Sequence, residues 1–201
     1  MDIPKLQSLG LARIKIGYSK NKDWKKATDI FLDRINGRFL NPIEVLENNQ
    51  DDDIWEFSGF AIIGLDCLLI ETLNQFYKGI DETTGEHWKA FWRIFKNSPY
   101  FKDEFDRSKK AHIFYSHFRC GILHQAQTKR KSKIRIDEPN MIIQINENDI
   151  NEGLIVNRKL FHEALKNEIN YYVKKLKNPK TRDDYILREK FMKKMKIITN
   201  P

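Results

Sequence analysis

Cysteine is scarce in this chain of 201 residues: only Cys67 and Cys120, both in apolar helical contexts. Two thiols so placed exclude a small disulfide-stapled scaffold. With no secretory signal ahead of them, they predict a reducing, cytoplasmic location. Long apolar runs are missing as well. The longest, Phe60 to Ile70, holds Asp66 and spans eleven residues, whereas a membrane helix needs roughly 20. No membrane partner is therefore expected. The chain also has no internal repeat, low-complexity tract or long flexible linker, so residues 1–201 read as a single domain long enough to bury a real core.

What is present is a globular composition. Hydrophobic residues make up 40% and aromatics 12%, which argues against disorder. The formal net charge is +8, and it is concentrated: from Arg158 onward, thirteen Lys/Arg face five Asp/Glu. A second basic cluster runs from Lys129 through Arg130, Lys131 and Lys133 to Arg135. Such clusters suit phosphate-rich partners through counterion release, or simply form a solvated lysine-rich face.

Periodicity predicts a mainly α fold. Asp23 to Arg38 reads as a helix burying Trp24, Ala27, Ile30, Phe31, Ile35 and Phe39. Asn41-Pro42 suggests a capped helix start and a short helix to about Asn48. Ile54 to Lys78 is apolar nearly all round at its centre and belongs in the middle of a bundle. Asp66 then needs a partner, and Arg119 or a histidine near it is the expected one. Glu86 to Lys96 carries an aromatic stripe, which reads as core rather than as a base-stacking surface. Lys133–Asp137 and Met141–Ile145 suggest a small β-hairpin, with Gly153–Val156 as a third strand. This β appendage of residues 129–157 precedes two final helices, Arg158–Lys177 capped by Asn157 and another started by Thr181.

The stretch from Ala111 to Thr128, AHIFYSHFRCGILHQAQT, gathers an arginine, a cysteine and three histidines on one predicted helix. Ile113, Phe114, Phe118, Ile122 and Leu123 form its apolar seam. Arg119 and His124 are five residues apart, about 140° around an ideal helix, so they do not share one narrow stripe but could flank a shared cleft where two copies of the helix meet across a two-fold axis. Arg119-Cys-Gly-Ile-Leu-His124 fits the Arg-x4-6-His motif and resembles HEPN domains, all-helical modules of many prokaryotic ribonucleases and toxins. GLDCLLIETLNQF followed by FYSHFRCGILHQAQTK is also similar to uncharacterised bacterial HEPN-like proteins, a resemblance covering most of residues 55–200.

The resemblance implies a HEPN-like helical bundle with the β-hairpin inserted before the C-terminal helices. It also implies a homodimer in which two motifs form one metal-independent RNA-cleaving site, in a toxin or antiviral defence context with an antitoxin or defence-system partner. Arg119 and His124 would be catalytic and Asp66 and Cys120 supporting, while Lys129, Arg130, Lys131 and Lys133 would hold RNA. Histidine titrates near working pH and suits proton transfer. Arginine presents a planar, permanently charged fork to phosphate. No cofactor is implied. His117, Cys120 and His124 share a stripe, yet positions i and i+7 lie about 10.5 Å apart along a helix, so no metal site is expected. Cys120 stands where the family usually has a polar residue, which favours the alternative of a non-catalytic module binding nucleic acid, a nucleotide or a partner protein.

Overall fold

A computed structural model describes residues 21–199, so the first twenty residues, expected as an arm or peripheral turn, lie outside it. Helix α1 (Asn21–Ile35) buries Trp24, Ala27, Phe31 and Ile35, as its spacing predicts. It does not stop at Asn41. A π-turn over Asn36–Leu40 carries the helical path directly into α2 (Asn41–Glu47), so Asn41 is itself helical and caps nothing. The reason is Pro42, which lacks an N–H and crowds the carbonyl four residues back. The widened turn ahead of it absorbs that conflict without ending the helix.

Helix α3 (Asp52–Lys78) is the axis of the molecule. Asp51 caps it by accepting from the Ile54 N–H at 3.1 Å, and Gly79 ends it in the left-handed conformation. It packs against α2, α4 (Trp88–Asn97), α7 (Arg158–Lys177), α8 (Arg182–Thr199) and the segment carrying Arg119. Helix α7 starts where the Asn157 cap predicts, although Leu160, expected inside, is 41% exposed. Thr181 and Asp184 cap α8 reciprocally: the Asp184 N–H donates to Thr181 Oγ1, and Asp184 Oδ2 accepts from the Thr181 N–H.

The aromatic stripe on α4 is core. Phe91 and Phe95 are buried, Phe95 stacks on Phe105 with centroids 3.9 Å apart, and Phe114 stacks on Phe161 at 4.9 Å. This cluster grips the back of the arginine-bearing helix.

The β region departs from expectation. Strands β1 (Lys133–Arg135), β2 (Ile142–Gln144) and β3 (Leu154–Asn157) form a sheet of order β1-β3-β2. β1 and β2 do not pair as a hairpin. β3 lies between them, parallel to β1 and antiparallel to β2, with Ile134 opposite Val156 and Ile142 opposite that same residue. Leu154 and Val156 are the fully buried positions, so the last strand takes the centre because it brings the apolar face. None of the helices is long and apolar enough to cross a membrane among the described residues.

Candidate functional site

The helix expected over 111–128 is broken into three parts. Helix α5 (Ser108–Phe114) passes through a π segment, Tyr115–Arg119, into α6 (Cys120–Gln125), and Ala126 ends it in the left-handed conformation at φ 54. Phe114 and Phe118 are anchored in the aromatic core, as are Ala111 and Ile113 beside them. Ile122 is only half-buried and Leu123 is 43% exposed, so the expected seam opens toward solvent along α6. The extra residue per turn in the π segment shifts α6 around the axis, and a constant 100° per residue does not describe Arg119 and His124.

Arg119 is half-buried. Its Nε donates to Glu71 Oε1 at 2.8 Å, and its guanidinium stands 5.7 Å from the centre of the Tyr115 ring. Burial works against the charge, but the Glu71 hydrogen bond and carboxylate outweigh it and hold the Arg119 pKa above its ordinary value. Nη1 and Nη2 make no hydrogen bond to any described residue. Burial, with Cys120 beside it, pushes the Tyr115 hydroxyl up to about 12. His124 is exposed, Cys120 is half-buried, and no hydrogen bond joins Arg119 to His124 among the described residues.

Asp66 is fully buried but not against this helix. It pairs with His162 of α7, Oδ1 to Nδ1 at 2.8 Å, which corrects the expectation of Arg119 or a motif histidine as its partner. Arg119 takes its carboxylate from Glu71 instead, and no hydrogen bond joins Asp66 to Arg119 among the described residues. Burial raises the Asp66 carboxyl above the usual range, against the pull of His162. Sequence reasoning missed both Glu71 and His162. Gly64, Leu68 and Glu71 fall on one stripe of α3, and His162, Leu165 and Ile169 on one stripe of α7. A polar residue ending or interrupting an apolar stripe was the available signal.

The basic segment is tied to the site by its neighbours. His117, buried, has Nδ1 2.9 Å from Ser132 Oγ, and that oxygen accepts from the Leu154 N–H at 3.1 Å. Burial, then the positive charges of Arg130 and Lys129, lower the His117 pKa, which keeps the ring neutral and structural. The Lys129 N–H donates to the His117 carbonyl, so the chain folds straight back over the helix. It passes Gly121 so closely that a Cβ there would lie 2.5 Å from the Gln127 carbonyl oxygen. Arg130, Lys131 and Lys133 are exposed and Lys129 half-buried, and Lys131 already pairs with Glu152 at 2.7 Å.

Between α3 and α6 runs an apolar groove, open among the described residues and lined by Phe60, Leu65 and Leu68 of α3 and by Ile122, Leu123 and Ala126. Gly64 lets the two helices approach, since a Cβ there would sit 3.6 Å from Ile122. No group of three or more His, Cys, Asp or Glu is placed to hold a metal ion among the described residues. In comparisons with known proteins, no family model matches the chain, and neither a curated protein nor a solved structure is found to be similar to it.

Proposed function

We infer that the protein is a metal-independent endoribonuclease of the HEPN type, acting on RNA as a homodimer in a toxin or defence setting. The observation that carries this reading is Arg119, held through Nε by Glu71 with Nη1 and Nη2 unbonded among the described residues, five residues before an exposed His124. In the reaction, the 2′-OH of one nucleotide attacks the adjacent phosphorus, the bond to the 5′-oxygen breaks, and a 2′,3′-cyclic phosphate remains. His124 from one subunit takes the 2′-OH proton, and its copy in the second subunit protonates the leaving oxygen. Arg119 neutralises the phosphate through Nη1 and Nη2, with Glu71 fixing its plane from behind. The groove between α3 and α6 supports the pairing of subunits, because a second copy closing it would bury the exposed Leu68 and Leu123.

Purified protein should cleave mixed RNA in EDTA and leave cyclic phosphate ends. His124→Ala and Arg119→Ala should each lose about 10²–10⁴-fold in rate while staying folded by circular dichroism. Cleavage abolished by EDTA would reject the mechanism.

A second reading, a non-catalytic module that binds nucleic acid or a partner such as an antitoxin, is favoured by two observations. Cys120 follows Arg119 where a polar residue is usual, and Arg119 is already engaged by Glu71. RNA binding without any cleavage would select it.

A further inference from the structure

A separate cavity of about 290 Å³ lies between the first turns of α3 and the edge of β1, sharing Phe60 with the groove but touching neither Arg119 nor His124. Its buried charge is Arg158, the first residue of α7, which is 3% exposed. Nη1 donates to Ser58 Oγ at 2.9 Å and Nη2 to the Trp55 carbonyl at 3.1 Å, with the guanidinium 5.4 Å from the centre of the Trp55 ring. Nε is buried with no partner. Among the described residues the guanidinium has no ion pair, and Glu47 acts on it only through longer-range charge. Gly59 makes room for it: a Cβ there would lie 3.1 Å from both Arg158 Nη1 and Ile134 Cγ2.

A cation withdrawn from water without an adjacent carboxylate is costly, and an anion entering the cavity would remove that cost. The remaining lining says what kind of anion. Trp55 and Phe60 offer aromatic surface to a flat ring, and exposed Arg135 adds a second guanidinium. Exposed Glu56 and Asp137 on the same rim match the amino group of a base and repel a polyphosphate. The volume is on the order of that of one nucleotide. We propose that this cavity binds a single nucleoside monophosphate unit, its phosphate toward Arg158 and Arg135 and its base against Trp55 and Phe60. The unit comes as a free mononucleotide or as one residue of an RNA strand. The site is independent of whether Arg119 and His124 cut RNA.

Calorimetric titration of the full chain with AMP tests it. One AMP should bind per chain, with adenosine, inorganic phosphate and ATP each at least tenfold weaker. Arg135→Ala, a surface change that leaves the fold intact, should weaken AMP about tenfold, the loss expected for one charged hydrogen bond. Trp55→Leu should weaken it as well, and Arg119→Ala should leave it unchanged. Competition by a short oligoadenylate at equal affinity would identify RNA as the source, and failure to compete would identify the free nucleotide. The proposal is overturned if AMP shows no saturable binding, if phosphate alone binds as tightly as AMP, or if Arg135→Ala and Trp55→Leu both bind like wild type.

Discussion

Asp66 and His162 form a buried pair in which one carboxylate oxygen, Oδ2, has no partner. Burial holds the Asp66 carboxyl above its ordinary range, with the His162 hydrogen bond and charge pulling the other way. The folded protein thus keeps a proton that the unfolded chain, at an ordinary Asp pKa of about 3.9, has released. Stability from that protonated acid is complete below the unfolded pKa and is lost as pH rises through the folded one. Asparagine keeps the acceptor for His162 and cannot ionise. Relative to wild type, Asp66→Asn should therefore gain stability as pH rises through this window, measured by urea unfolding at several pH values. A difference between the two proteins that stays constant with pH would sink this account. His162 itself was reachable from sequence only as a polar residue on the Leu165–Ile169 stripe, and nothing local names its partner 96 residues earlier.

At the scale of elements, the features written in short-range signals were legible. The Asn157 cap and the Thr181 start lie where sequence places them, because each depends on residues within one turn. The β order was not legible. A two-residue turn signal would have specified a hairpin, but Glu138-Pro-Asn140 does not, and the burial of Leu154 and Val156 decides which strand is central. The break at Tyr115–Arg119 was also hidden, since no proline or glycine marks it. Of the candidate site, Arg119 and His124 were named by the resemblance to the Arg-x4-6-His motif, whereas the Glu71 partner of Arg119 could not be assigned without knowing how α3 packs against the segment carrying Arg119. Gly121 is where the returning chain presses hardest on α6. Gly121→Ala should destabilise the fold by about 1–3 kcal/mol, as overpacking does, and loosen residues 127–133. Thermal unfolding and amide hydrogen exchange in that segment would read both effects, and unchanged exchange there would show that the loop accommodates the methyl.

For the whole molecule, the groove and the basic segment make separate predictions. Leu68→Glu and Leu123→Glu place charge on the uncovered face and should each convert a dimer to a monomer by light scattering. A wild-type monomer at micromolar concentration would remove the shared-site mechanism. RNA affinity should fall with salt, and neutralising Lys129, Arg130 or Lys133 should each flatten that dependence by close to one unit of slope. Lys131, already paired with Glu152, should contribute less. The order β1-β3-β2 has a consequence for how the chain assembles. Both outer strands leave the ribosome before the strand that joins them, and Ser132 cannot receive the Leu154 N–H until residues 154–157 have emerged. A growing chain therefore carries its cationic stretch without its strand pairing, held only by its bonds to the His117 turn, until α7 begins to form, and parallel pairing at such sequence separation closes slowly. Pausing translation short of residue 154 would leave that stretch free to meet any nearby polyanion, the ribosome's own RNA first among them.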